Sequence, residues 1–211
     1  MWRRKATETN NMSLAVEHWF PTPIWYTTIP DITDEEEAKA IKYCKKLRSK
    51  SPGRQLSNVG GWQSNDIPLN EIADTPLHKY FNSVYNTAGE CLSQLGINKK
   101  YYIDNAWINI NGEGNYNSVH THPNSFLSGV FYLTNNNSGL VFVRPAGIDT
   151  YSLEMHHSNF DTFLSYNKVT YKPESKVLYL FPSWLPHRVE ENKTKGERIS
   201  IAFNINLMFN K

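Results

Sequence analysis

Cysteine is scarce in this chain, with 2 in 211 residues, which rules out a scaffold stapled by disulfides. Cys44 and Cys91 both fall in stretches of helical periodicity, so buried free thiols in a reducing compartment are expected. No apolar run approaches the roughly 18 residues that a membrane-spanning helix needs, and no membrane partner is expected. Net charge is nearly absent as well, at a formal +2. Basic residues cluster only briefly, in Arg3-Arg4-Lys5 and Lys45-Lys46-Leu47-Arg48. A nucleic-acid partner is therefore disfavoured, because tracking phosphates takes an extended basic surface. Polar residues follow the basic N-terminal pentapeptide where a secretory signal would have an apolar stretch, so the expected location is cytoplasmic. Internal repeats and low-complexity tracts are missing too.

What the chain does have is aromatic weight, 13% of residues including 12 Tyr and 6 Trp, which favours pleated, half-buried surfaces. Its length suits one domain with a sizeable core. Residues 1–15 are polar and expected to be flexible; 16–211 are expected to form a single domain. Thr33-Asp34-Glu35-Glu36 has the form of a capping box. It opens a helix to about Ser49 with acids early and bases late, matching the helix dipole. Pro76 opens a second, with Leu77, Phe81, Val84, Tyr85, Ala88, Leu92 and Leu95 at three- and four-residue spacing and Gly96 as its stop. Beyond residue 100 the period becomes two, with short strands at about 101–110, 126–134, 139–144, 160–170, 176–181 and 198–208. Helical support over 33–98 followed by a β core over 101–208 predicts a mostly β protein with flanking helices.

The chemistry concentrates in Asn117-Ser118-Val119-His120-Thr121-His122-Pro123. Residues two apart on a strand share a face, so His120 and His122 can reach one metal ion. Imidazole suits Fe, Zn, Cu or Ni. An H-x-H pair alone is a weak signal, more often a chance surface pair or ordinary hydrogen-bonded histidines than a metal site. A third ligand is available from His187, after the apolar run and turn Leu180-Phe181-Pro182-Ser183-Trp184-Leu185-Pro186. Eleven residues later, Arg198 and Ser200 share a strand face opposite Ile199, Ile201 and Phe203. A guanidinium fork beside a hydroxyl is shaped to grip a carboxylate. Together these residues describe a metal site near a carboxylate-binding arginine.

In this order, with Trp107-Ile108-Asn109, Ser128-Gly129-Val130-Phe131-Tyr132-Leu133 and Gly139-Leu140-Val141-Phe142 between, the chain resembles the 2-oxoglutarate and Fe(II)-dependent oxygenase superfamily. Within it the likeness is closest to a group of uncharacterised bacterial and phage oxygenases near the prolyl hydroxylases. It covers about 19–208 and is strongest from 105 onward. The resemblance implies a double-stranded β-helix, the jelly roll shared with cupins. It also implies metal ligation by His120 and His187, and pairing of Arg198 with the distal carboxylate of 2-oxoglutarate. Ser200 and Tyr132 would assist Arg198, and Asn109 would touch cosubstrate or substrate. One departure matters: the superfamily normally has a carboxylate where this chain has His122, so the implied site is built from three histidines and carries one negative charge less.

The implied activity is hydroxylation of an unidentified small molecule or protein side chain, with O2 as cosubstrate and succinate and CO2 released. Trp107, Phe131, Trp184 and Trp62 are candidates for lining the substrate pocket, with core packing the alternative for each. Gly60-Gly61-Trp62-Gln63-Ser64 is read as either a lid or a structural loop, and His156-His157 as solvated. Two other readings stay open: a cupin-like three-His dioxygenase that uses no 2-oxoglutarate, and a non-enzymatic jelly-roll binding module. The apolar stretch Trp19–Tyr26, expected as an edge strand or arm, leaves a homodimer possible.

Overall fold

In a computed structural model the described residues are 22–145 and 166–209. The expectations for segment 1–15, for the start of the Trp19–Tyr26 arm, for His156-His157 and for the first half of the 160–170 strand lie outside them. The capping box at Thr33 forms as its sequence requires. Thr33 Oγ1 accepts from the Glu36 N–H, and Glu36 Oε2 accepts from the Thr33 N–H at 2.9 Å. It opens helix α1 (Asp34–Arg48). A 3-10 turn over Leu69–Asp74 leads to α2 (His78–Gln94), which starts two residues after Pro76 and ends before Gly96 at φ +71. That left-handed conformation is why glycine stands there.

The strands are β1 (Trp25–Thr28), β2 (Asn58–Val59), β3 (Trp62–Gln63), β4 (Tyr101–Asn111), β5 (Tyr116–His120), β6 (Leu127–Tyr132), β7 (Leu140–Val143), β8 (Lys168–Tyr171), β9 (Val177–Pro182), β10 (His187–Val189) and β11 (Arg198–Leu207). They form a six-stranded sheet in the order β1-β9-β6-β11-β4-β3 and a five-stranded sheet in the order β2-β5-β10-β7-β8. Among the described residues every pairing is antiparallel. Two facing sheets with helices on one side are the double-stranded β-helix expected for this chain.

Side-chain alternation sorts the core into two layers. Ala106, Ile108 and Ile110 of β4, Phe131 of β6, and Ile199, Ile201, Phe203 and Ile205 of β11 pack toward α1 and α2, where Ala40, Cys44, Phe81, Val84 and Ala88 meet them. Burial pushes the thiols of Cys44 and Cys91 up to about 12, so both stay protonated and inert. The opposite parity faces the second sheet. Val130, Tyr132, Tyr179 and Phe181 join Leu140, Phe142 and Leu185 in a smaller inter-sheet cluster. Apart from Trp107 and Ala202, the rest of that inner face is polar: Asn109 and Asn111 of β4, and Arg198, Ser200 and Asn204 of β11, are all buried. A buried face that breaks the hydrophobic rule at so many positions is where chemistry is to be sought.

Candidate metal centre

β10 and β5 bring the histidines together. His187 pairs in register with His120, so the two side chains stand side by side across the ladder. Here one expectation needs correcting. β5 ends at His120, and His122 lies in the loop beyond it, not on the same strand. The turn is held instead by the His122 N–H, which donates to the Ser183 carbonyl at 2.9 Å. Pro123 and Asn124, the latter at φ 71, then take the chain around a bend and stop the ladder. The loop still delivers the ring: the ligand atoms of His120, His122 and His187 lie within 4.8 Å of one another.

Second contacts fix which nitrogens face inward. His120 Nδ1 is 2.7 Å from the Ser118 carbonyl and His187 Nδ1 is 2.8 Å from the Leu185 carbonyl. A carbonyl can only accept, so each Nδ1 carries the proton and each Nε2 presents a lone pair, the usual support of a metal-binding histidine. His122 Nε2 sits 3.2 Å from His187 Nε2. Between two such atoms either one proton is shared or a cation replaces it. Burial holds the rings neutral, the form that ligates. Desolvation, then the charge of His120, lowers His122 to about 4; desolvation first, with His120 next, lowers His187 to about 3. His120 is lowered as well, by burial against a partial offset from the Ser118 carbonyl.

Inward from the histidines runs a narrow pocket of about 40 Å³ between the sheets. Asn109, Tyr132, Arg198 and Ser200 line it with the three rings. Arg198 is 2% exposed, and among the described residues Nε and Nη1 have no hydrogen-bond partner; its remaining nitrogen reaches Ser200 Oγ at a long 3.5 Å. The Tyr132 hydroxyl and Asn109 Oδ1 are also buried without partners. Arg198 Cζ lies 5.3 Å from the Tyr132 ring centroid, and its charge partly offsets the burial that raises the tyrosine pKa. Orphaned buried donors of this kind cost about 1–3 kcal/mol each. Arg198 and Tyr132 are therefore set out for an acceptor that enters the pocket. The donor set fits a carboxylate, and the rings at the other end fit a divalent transition metal.

The other sequence candidates divide. Trp107 lines both the pocket and the cleft outside it, its ring centroid 5.5 Å from that of His122. Phe131 does not reach the pocket. It has the opposite parity from Tyr132 and stacks on Tyr80 at 5.0 Å in the helix-side core. Trp62 is likewise packed against that core, with Nε1 donating to the Ser51 carbonyl at 3.0 Å. Its segment ties the sheets together, β2 pairing with β5 and β3 with β4. Trp184 is 53% exposed on the turn between β9 and β10 and lines neither the pocket nor the cleft. Asn105 and Asn204, which the same alternation argument would have found beside Trp107 and Ser200, line the cleft. Arg54 and Ser57 line it too, from a loop without a periodic signal.

Residues 105–204 match the family model described as "Putative 2OG-Fe(II) oxygenase". No curated protein is detectably similar in sequence. Among solved structures, a Pseudomonas putida prolyl-4-hydroxylase superposes with a TM-score of 0.61 at 14% identity, over 89% of this chain and 94% of that one. A prolyl hydroxylase from Trichoplax adhaerens, solved with a hypoxia inducible factor peptide fragment, gives 0.62 at 15% identity over 87% and 83%. HygX from Streptomyces hygroscopicus, with nickel and 2-oxoglutarate bound, gives 0.59 at 12% identity over 89% and 84%. At such identities the likeness establishes the shared fold.

Proposed function

We propose that the chain is a 2-oxoglutarate and Fe(II)-dependent oxygenase, a reading supported by the match of residues 105–204 to that family model, and that it hydroxylates a small molecule or protein side chain with Fe(II) held by His120, His122 and His187. The observation that carries this reading is the pairing of two unmet demands in one pocket. Three neutral imidazoles converge at its mouth, and an unpaired buried guanidinium waits at its inner end. A molecule with a metal-chelating head and a distal carboxylate answers both, and 2-oxoglutarate is such a molecule. Fe(II) with 2-oxoglutarate and O2 supplies the oxidising chemistry, with succinate and CO2 as co-products.

The protein's own part is orientation and exclusion. The Ser118 and Leu185 carbonyls hold the ring planes of His120 and His187. Arg198 would hold the distal carboxylate through its unpartnered Nε and Nη1, with the Tyr132 hydroxyl as a donor beside it, while Ser200 Oγ steadies the guanidinium from the same strand face. Val130, Leu140 and Phe181 close the pocket walls and keep water from the buried charge pair. Asn109 stands on the neighbouring strand in register with Ser200, where its amide can meet the cosubstrate.

The test is anaerobic calorimetry of metal-stripped protein with redox-silent Mn(II), followed by 2-oxoglutarate, with succinate release measured separately under Fe(II) and O2. Metal-dependent 2-oxoglutarate binding that Arg198→Ala removes is the expected result. Metal binding with no 2-oxoglutarate binding would move the assignment to a three-His dioxygenase of another kind, and absence of metal binding would leave a binding module.

A further inference from the structure

Outside the histidines the pocket opens into a cleft of about 480 Å³, a size that suits a metabolite. Its walls include Arg54, Gln63, Asn105 and Asn204, with the exposed side chains of Leu56 and Val119 at the rim. Among the described residues no carboxylate lines either this cleft or the inner pocket. Resting on the oxygenase reading above, the formal charges do not cancel: Fe(II) brings +2, Arg198 +1 and 2-oxoglutarate −2, with neutral histidine at position 122. One positive charge is left over in a partly buried site, where Coulomb interactions are stronger than in bulk water.

Arg54 adds an independent geometric observation. Its Nη2 is fixed by Asp66 Oδ1 at 2.6 Å, and its Cζ lies 5.8 Å from the Trp107 ring centroid. Its Nε is buried with no partner among the described residues. Trp107 in turn neighbours both Arg54 and His122, its ring centroid 5.5 Å from that of His122. A salt bridge and an aromatic face thus hold a guanidinium fork on the cleft wall, one ring away from a metal-binding histidine. Asp66 is 47% exposed, so solvent screens its charge while its contact still fixes the fork.

We propose that the prime substrate carries an anionic group, carboxylate or phosphate, and that Arg54 is the residue that receives it. The group docks on Arg54 beside Trp107, and the remainder of the molecule extends past Trp107 toward the histidines. The surplus charge at the metal and the fork on the wall then favour the same class of ligand.

Protein loaded with Mn(II) and 2-oxoglutarate is titrated with acetate and with inorganic phosphate at fixed ionic strength, followed by calorimetry and tryptophan fluorescence. The expected result is saturable binding of at least one anion without displacement of 2-oxoglutarate. It should weaken by about tenfold or more in Arg54→Gln and by less in Arg54→Lys, which keeps the charge and loses the fork. Preference for phosphate assigns a phosphate ester, and preference for acetate a carboxylate. Normal loading with 2-oxoglutarate but no saturable anion binding, or binding equal in wild type and both variants, overturns the proposal alone. If Arg54→Gln does not fold, by circular dichroism, weakened binding in Arg54→Lys carries the decision. Failure of 2-oxoglutarate to load in the first step overturns the oxygenase reading and this proposal with it.

Discussion

Replacing Arg198 by methionine separates the cost of the site from its use. Arg198 is 2% exposed, has two orphaned nitrogens and makes no salt bridge among the described residues. Two unsatisfied donors at about 1–3 kcal/mol each put several kcal/mol of strain in the ligand-free fold, relieved in part by water. Methionine has similar length and no charge. Substituting apolar side chains for buried ionic groups has stabilised other proteins by about 1–4 kcal/mol. At roughly 2–4 °C per kcal/mol for a domain of this size, the ligand-free Arg198→Met protein should melt about 2–16 °C above wild type. On the proposed assignment the same change removes the anchor for the distal carboxylate, which should cost about 3–5 kcal/mol of 2-oxoglutarate binding, more than a hundredfold in Kd. Thermal unfolding without ligands and calorimetry with Mn(II) measure the two effects on one sample. A variant that melts lower than wild type and still binds 2-oxoglutarate normally would refute the assignment of Arg198 as a strained anchor.

Three further outcomes are expected. His122→Ala should lower Mn(II) affinity by about tenfold or more and His122→Asp should restore it, read by calorimetry; equal affinity in all three would show that the loop histidine is no ligand. Unfolded histidines titrate near 6.5, whereas His122 and His187 in the fold titrate near 4 and 3. Between those values the unfolded chain binds protons that the fold refuses, so stability is complete above about pH 6.5 and declines as pH falls toward 4. For His122 alone this amounts to about 3 kcal/mol. Melting curves of metal-free protein across that window should show the loss, with a shallower slope in His122→Asn; identical slopes would count against it. Finally, Phe131→Ala should cost about 3–5 kcal/mol of stability in denaturant titrations while leaving the Kd for 2-oxoglutarate unchanged, because its ring packs against Tyr80 and Phe81 on the helix side.

Much of the site could be read from strand parity. The pairing of β4 with β11 puts Trp107 and Asn109 on the face of Arg198 and Ser200, and period-two alternation in the sequence already implies that arrangement. The same rule excludes Phe131 once Tyr132 is assigned to the pocket. Parity failed at His122, because it applies only while the ladder lasts, and the ladder ends at His120 before Pro123. Trp62 and Trp184 were beyond its reach for another reason: an aromatic in a loop packs inward or outward according to contacts distant in sequence, here Ser51 for Trp62. Arg54 gave no local signal at all. Its position depends on Asp66 and Trp107, which the fold brings together from separate segments. The capped helix α1 was legible to within a residue because its signal is local and chemical.

On the proposed three-histidine assignment, a histidine at position 122 in place of a carboxylate changes how metal and cosubstrate would bind. A carboxylate ligand would neutralise part of the ion's charge before 2-oxoglutarate arrives. Here the three imidazoles leave it uncompensated, and the buried Arg198 adds a like charge in the same pocket. Metal alone is therefore held against repulsion, and 2-oxoglutarate alone finds only half of its partners. Each should strengthen the other, and by linkage the factor must be the same in both directions. Coupling of about 1–3 kcal/mol, a factor of about 5–150, is the usual scale. Calorimetric titration of Mn(II) with and without 2-oxoglutarate, and the reverse pair, closes the cycle. In His122→Asp the coupling should shrink, since the aspartate supplies in advance part of the charge that the cosubstrate brings. Independent binding in the wild type, or coupling that does not change in His122→Asp, would mean that charge balance does not govern this site.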